Sequence, residues 1–470
     1  ETLFSGHGVA DIAKASSSHK NLSAASKCIV ESVRSAQISK SKTICFLTGV
    51  PGAGKTLAGL TITHDPDLRS DDRPAGVFLS GNIPLVKILR EALARDSVER
   101  DQSPNKKEAK RVVETFVQNV HRFLKEYASL KKLPPEKVVV FDEAQRAWNQ
   151  EQLTRKSQKE GKDPEDFNCS EPELFLRIMD RQEWSVVIAL VGGGQEIHDG
   201  EGGLAEWGKI LSDKFPHWKV LVSPQALNGD VSLSGQTLFP NAGYGKINVK
   251  EEKGLHLAVS KRSYKAEKVS SWVDYVLKRK SAEANSLIPE LEEYPMALTR
   301  SLENARSWLR RKTRGLRRCG LVASSRALRL RADGIELNSD FRHSLNGYAD
   351  WFLSDKDDVR SSYQLEVAAT EFECQGLELD WTGVCWGDDF LLNDCGNWIY
   401  RKLHGPRWQL FKKEQDQQFL LNKYRVILTR ARLGMVLWVP TRKKYDMLRD
   451  GEMLDRTADY LMHCGLELID

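Results

Sequence analysis

One stretch near the start constrains this chain more than any other. Residues 43–48 form a short apolar run, Thr-Ile-Cys-Phe-Leu-Thr, and Gly49-Val50-Pro51-Gly52-Ala53-Gly54-Lys55-Thr56 follows directly. An apolar run of this length bounded by glycine predicts a buried strand. The residues after Thr56 return to helical spacing. Glycines in the connecting loop let backbone N–H groups curl around an anion with no Cβ in the way, and the helix start adds a favourable dipole. Strand, G-x-x-x-x-G-K-[ST] and helix together predict a phosphate cradle. Gly49, Pro51, Gly52, Ala53 and Gly54 are its expected wall. Lys55 is expected on the outer phosphates and the Thr56 hydroxyl on Mg²⁺.

A second run completes that chemistry. Val138-Val139-Val140-Phe141 ends in Asp142-Glu143-Ala144-Gln145. A strand that ends in two carboxylates presents both at the carboxyl edge of a parallel sheet, where such sheets bind ligands. Asp142 is the expected Mg²⁺ partner, and Glu143 the group that orients and deprotonates an attacking water. These two motifs alone specify a nucleotide hydrolase or switch and no particular task, because fold does not fix function.

The rest of the chain repeats the alternation of apolar runs and amphipathic segments, which predicts an α/β protein with parallel sheets. Further strand candidates in the first half are 75–79, 115–120, 186–191 and 219–222. In the second half they are 255–259, 321–324, 365–370, 382–386 and 435–439. Ser170-Glu171-Pro172-Glu173 reads as a capping box opening a helix. Val269, Trp272, Val273 and Val276 recur at helical spacing. The polar stretches 100–111 and 149–168 read as exposed insertions. The Gly-, Pro-, Ser- and Asn-rich residues 223–254 suggest a domain boundary near Gly245.

At 470 residues the chain exceeds one ordinary core, so two or three domains are expected. Its 40% hydrophobic and 29% charged residues exclude a disordered chain. No run is long and apolar enough to cross a bilayer. None of the eight cysteines forms a C-x-x-C pair, so reduced thiols and a cytoplasmic setting are expected rather than zinc or disulfides. The first residue is Glu1, which reads as a processed or trimmed start. Net charge is +5, yet residues 300–331 hold ten arginines and Lys312 against Glu303 alone. That segment is either a polyanion contact or a solvated helix face.

Four more segments follow the phosphate loop in order. They are Gly192-Gly193-Gly194-Gln195-Glu196-Ile197, Leu257-Ala258-Val259-Ser260-Lys261-Arg262-Ser263, the segment 369–379 containing Gln375-Gly376-Leu377-Glu378, and the segment 424–432 containing Thr429-Arg430-Ala431. The ordered set resembles the motifs of superfamily 1 helicases. With Ser80–Val86 and Arg329–Glu336, the chain resembles more narrowly the Schlafen-group-3-like helicase domain family.

The resemblance implies an α/β chain of two tandem RecA-like P-loop NTPase domains with mainly parallel sheets, here 1–245 and 246–470. It implies ATP and Mg²⁺ in a cleft between them. Gln195 would contact the γ-phosphate and water, Arg262 and Arg430 would reach it from the second domain, and Gly376 and Glu378 would line the nucleotide. Arg432 is a second candidate finger. The implied partner is single-stranded or partly duplex DNA or RNA, touched by Ser80, Asn82, His121, Arg317, Arg329 and Thr370, with no membrane. Trp207, Tyr294, Trp351 and Trp381 are either stacking platforms or packing.

Three departures stand out. Only Gln37 lies upstream where a base-reading glutamine is expected, Glu371 stands where many relatives carry histidine, and large accessory insertions are absent. The implied activity is an ATP-dependent helicase or single-strand translocase. The alternative is an ATP-gated nucleic-acid-binding switch acting on a fused or associated effector. A small-molecule kinase fits poorly with the Q-G-L-E and T-R-A segments.

Overall fold

Hydrophobic runs with no polar face become the central strands of two parallel sheets. The computed structural model describes residues 19–49, 53–65, 68, 76–129, 132–159, 164–192, 201–230, 233, 235–240, 246–257, 261–337, 347–444 and 446–469. The chain divides into two compact units, Glu1–Ser263 and Tyr264–Asp470.

The first unit holds β1 (Lys42–Gly49), β2 (Val77–Ser80), β3 (Val117–Asn119), β4 (Val138–Asp142), β5 (Ser185–Val191), β6 (Lys219–Val222), β7 (Asn248–Glu251) and β8 (His256–Leu257). Their order is β3-β2-β4-β5-β1-β6-β7, with β8 added to the end of β1. Every pairing is parallel. All residues of β4 and β5 are buried, as helices on both faces of a parallel sheet require. Because β7 pairs with β6 and β8 with β1, the first unit runs on to Ser263 rather than ending at 245.

Several local expectations have a direct structural counterpart. Ser170 caps the helix Glu171–Asp180 by accepting from Glu173 N–H. Val269, Trp272, Val273 and Val276 are all buried on the helix Lys261–Leu277. The polar stretches are largely exposed, and parts of both are helical. Asn105 caps the helix Lys106–Phe116, and residues 150–159 form another helix. Their apolar faces are sparse: only Ala109, Val113 and Phe116 of the first helix are buried.

The second unit holds β9 (Met296–Thr299), β10 (Cys319–Ala323), β11 (Glu336–Leu337), β12 (Val367–Thr370), β13 (Leu379–Cys385), β14 (Phe390–Leu392), β15 (Trp398–His404), β16 (Arg407–Leu410), β17 (Ala431–Trp438) and β18 (Glu467–Leu468). The main sheet runs β11-β12-β10-β13-β17-β9-β18, again all parallel. A separate antiparallel sheet, β14-β15-β16, is inserted between β13 and the helix Glu414–Leu428. The sequence pattern gave no warning of it, because its strands mix cations with aromatics instead of alternating.

The four proposed aromatic platforms belong to the cores. Trp207 is 0%, Tyr294 3%, Trp351 2% and Trp381 6% exposed. The eight cysteines are free thiols. No described helix is long and apolar enough to cross a membrane.

Candidate functional site

The first unit gathers its chemistry at the carboxyl ends of β1, β4 and β5. Gly49 closes β1 under β8: a Cβ there would lie 3.0 Å from Leu257 Cβ and 3.2 Å from its carbonyl oxygen, so a side chain would push β8 away. Gly54 has φ +89°, a left-handed conformation that suits glycine, and it opens the helix Lys55–Thr63. That helix packs on β4 and β5 through Gly59, where a Cβ would approach Val140 Cγ1 to 2.8 Å. The Lys55 ammonium donates to Gly49 O at 2.7 Å.

Thr56 Oγ1 donates to Asp142 Oδ1 at 3.4 Å. The second carboxylate oxygen, Asp142 Oδ2, is buried with no hydrogen-bond partner among the described residues. Burial, then the charge of Glu143, push this carboxyl up to about 7, against the opposing effects of Lys55, Thr56 and Ser80. A buried, under-satisfied carboxylate beside a hydroxyl and an ammonium is a fitting place for a hard cation. Mg²⁺ takes few protein ligands, all oxygen, and would satisfy Oδ2 and the Thr56 hydroxyl together.

Glu143 itself adopts φ 53°, ψ 47°, a strained backbone for a residue with a Cβ. Its carboxylate accepts from the Gln145 amide at 2.5 Å, and Gln145 Oε1 accepts from Gly192 N–H at 3.1 Å. Gln145 therefore ties the end of β4 to the end of β5. It was part of the Asp-Glu-Ala-Gln run, but spacing alone did not single it out.

Pro51, Gly52 and Gln195 lie outside the described residues. Arg262 falls on the helix Lys261–Leu277 but within the first unit, Glu1–Ser263, and not in the second domain as its motif implied; its side chain lies outside the described residues as well. Ala53 and Gly54 lead into the helix start.

In the second unit the Q-G-L-E and T-R-A segments meet at the amino ends of β13 and β17. Leu379 N–H donates to Arg430 O at 3.0 Å. Gly376 takes φ +76°, which turns the chain into β13. Arg432 lies 3.5 Å from Asp380 and 4.0 Å from Glu378. Arg430 is only 3% exposed, and its guanidinium donates to Val426 O and Thr429 Oγ1, both at 2.9 Å.

The expected nucleic-acid contacts separate into distinct groups. Asn82 and His121 follow β2 and β3 at the carboxyl edge of the first sheet. His121 stacks on Trp148, ring centroids 4.0 Å apart, and Lys156 sits over the same tryptophan. Ser80 is fully buried in register with Asp142, so it belongs with the nucleotide residues and not on an exposed track. Thr370 ends β12, but its hydroxyl is committed to Glu373 in a capping box. Arg329 is held by Asp446 at 2.6 Å.

The basic segment 300–331 is not one surface. Arg300, Arg306 and Arg318 donate to backbone carbonyls, and Arg331 pairs with Glu336. Arg310, Arg311 and Lys312 occupy the last turn of the helix Leu302–Lys312, where cations favour the helix dipole. Arg317 is exposed beyond it.

The family described as "Schlafen group 3, DNA/RNA helicase domain" matches residues 42–441. Among solved structures, the helicase domain of Pyrococcus furiosus Hef is similar at 12% identity and a TM-score of 0.26, over 87% of this chain and 94% of that one. No curated protein sequence matches. The family match takes in the phosphate loop, the Asp142–Glu143 pair, and the Q-G-L-E and T-R-A segments, and on it the chain belongs to the Schlafen group 3 DNA/RNA helicase domain family.

Proposed function

We propose that this helicase-like chain is an ATP-dependent DNA/RNA helicase or single-strand translocase of the superfamily 1 type. The observation that carries the reading is the Thr56–Asp142 pair with its unsatisfied carboxylate oxygen, set beside Lys55 and Glu143. Mg²⁺ bound there would neutralise phosphate charge. Lys55 then has to exchange its bond to Gly49 O for one to a phosphate oxygen. Glu143, held by Gln145, would orient a water and accept its proton. Gln195 and Arg430 keep the roles their motifs imply, with Arg430 acting on the γ-phosphate from the second unit, while Arg262 would act from the end of the first unit.

Family membership supports nucleic acid as the partner, with Asn82 and His121 as first-unit contacts. The second reading, an ATP-gated switch, is favoured by the capped Thr370 hydroxyl, which in this arrangement is engaged with Glu373 and not offered to a strand.

One experiment separates them: ATP turnover with and without a single-stranded oligonucleotide, followed by strand displacement. The motor reading expects strong stimulation, displacement, and loss of both in Lys55→Ala. Turnover indifferent to the oligonucleotide supports the switch. Full turnover in Lys55→Ala refutes the site.

A further inference from the structure

The β14-β15-β16 insertion has a chemistry that the nucleotide reading does not use. Residues 396–413 contain Arg401, Lys402, Arg407, Lys412, Lys413 and His404, and not one acidic residue. Among the described residues none of Lys402, His404, Arg407, Lys412 and Lys413 has an ion pair. Elsewhere in this unit most cations are bound, Arg329, Arg360, Arg425 and Arg449 among them.

Register sorts the hairpin into two faces, because residues paired across strands share a side. Arg401 pairs with Leu410 and Leu403 with Trp408. This face is fixed: Arg401 is 7% exposed, its guanidinium lies 4.4 Å from the Trp408 ring, and Trp408 Nε1 donates to Leu448 O. The other face carries Tyr400, then the pairs Lys402–Gln409 and His404–Arg407, with Phe411 beside Tyr400. At its base this face is core, through Phe390 and Trp398. Beyond Tyr400 it runs out to solvent: His404, Arg407, Gln409, Lys412 and Lys413 are exposed, while Lys402 and Phe411 are half-buried.

The hairpin is also rigidly placed. Arg401 donates from its backbone to Asp389 O and from Nε to Asp388 O, and the fully buried Arg449 joins Asp388 to Asp333. Asp389 in turn accepts from Ser324 at the end of β10. The insertion therefore stands on the carboxyl edge of the second sheet, the edge on which β12 ends at Thr370.

We propose that the outer face of this hairpin, Lys402, His404, Arg407, Gln409 and Phe411 with Lys412 and Lys413, is a binding surface for single-stranded nucleic acid. Unpaired cations spaced by strand register suit successive phosphates. A half-exposed ring beside them suits a base, the pairing that single-strand binders use. An anionic membrane would want contiguous apolar surface, which this face lacks. The proposal rests on the nucleic-acid reading above and adds a surface that reading did not contain.

The test is fluorescence anisotropy of a labelled single-stranded oligonucleotide against the full chain over a range of salt. Combining Lys402→Gln, Arg407→Gln, Lys412→Gln and Lys413→Gln should flatten the log–log salt slope by about 3, since each phosphate contact on a single strand contributes roughly 0.7. Phe411→Ala alone should weaken binding about ten-fold with the slope unchanged. Photocrosslinking of a bromouracil oligonucleotide to the unmodified chain should map to residues 400–413, which decides the matter even if the quadruple variant does not fold.

An unchanged slope with crosslinks elsewhere overturns the hairpin and leaves the parent reading standing. A wild-type chain that binds no oligonucleotide overturns both. A quadruple variant that keeps oligonucleotide binding but loses binding to phosphatidylserine vesicles assigns the face to a membrane and overturns the proposal.

Discussion

Gln145 holds Glu143 and Gly192 at the same time, donating to the carboxylate at 2.5 Å and accepting from the backbone N–H at 3.1 Å. Gln145 is 1% exposed and Glu143 is half-buried, so the bridge is largely shielded from water. It fixes a carboxylate whose own backbone is strained. Gln145→Ala should leave Glu143 present but unaimed. Displacement of a catalytic group by an ångström costs about a hundred-fold in rate. We therefore expect ATP turnover to fall by about ten- to a hundred-fold while nucleotide affinity changes little. Steady-state turnover and titration with a fluorescent nucleotide measure the two separately. Equal loss in both would make Gln145 a structural residue of the loop and not a positioning one.

Glu371 stands where the motif resemblance implies a histidine, and its surroundings show what it does here. The carboxylate is fully buried and accepts from Ser325 N–H, Ser325 Oγ and Lys423. Lys423 lies on the helix that ends in the Arg430 segment. Breaking a buried pair strands a charge, which costs about 3 kcal/mol or more, whereas removing both partners costs much less. Glu371→Gln and Lys423→Met should each destabilise the second unit strongly, and the double variant should recover most of the loss. Chemical denaturation of the four proteins closes the cycle. Additive losses would mean that the two charges do not depend on each other.

Much of this was legible in the sequence, and the limits have physical causes. The strand–loop–helix around Gly49–Thr56 and the Val138–Asp142 strand were readable because buried parallel strands must be apolar throughout. Gln145 was not, because its importance lies in a contact to Gly192, which is 47 residues away. Ser80 reads as a nucleic-acid contact only through the family resemblance of its segment; the Ser80–Asp142 register, which no spacing shows, sets it beside the Asp142 carboxylate. The charge run 300–331 leaves its role open for a similar reason, since linear density says nothing of which arginines a fold folds inward. The hairpin escaped notice because its anchors, Asp333, Asp388 and Arg449, are far apart in sequence.

Asp389 should leave a mark on the pH dependence of stability. Burial, against hydrogen bonds from Ser324 and Tyr424, raises its carboxyl to about 6 from an ordinary 3.8. The folded chain then holds this proton over a range where the unfolded chain has lost it. Stability should fall as pH rises from about 4 to about 6 and level off above that, by on the order of 3 kcal/mol for this group. Asp389→Asn should remove that part of the slope, as thermal melts at pH 4, 5, 6 and 7 would reveal. A variant slope identical to wild type over that interval would mean that the carboxylate ionises without cost.

Arg430 tests the second unit's part in hydrolysis, and its geometry dictates how. Its guanidinium now caps the helix Glu414–Leu428 through Val426 O and Thr429 Oγ1. Arg430→Ala therefore removes a cationic contact at the helix C-terminus as well as a proposed finger, and such a contact alone is worth about 1 kcal/mol. Arg430→Lys restores a positive charge at the helix end, but its single ammonium cannot reproduce the planar fork of donors that a transferring phosphoryl group favours. If Arg430 is the finger, both variants should lose about three orders of magnitude in turnover with nucleotide affinity nearly intact, although only the alanine variant melts lower. If the residue is merely a cap, lysine should rescue stability and turnover together. The comparison separates the two roles within one residue, because the lysine keeps the charge at the helix end while losing the planar fork of donors that a phosphoryl group takes.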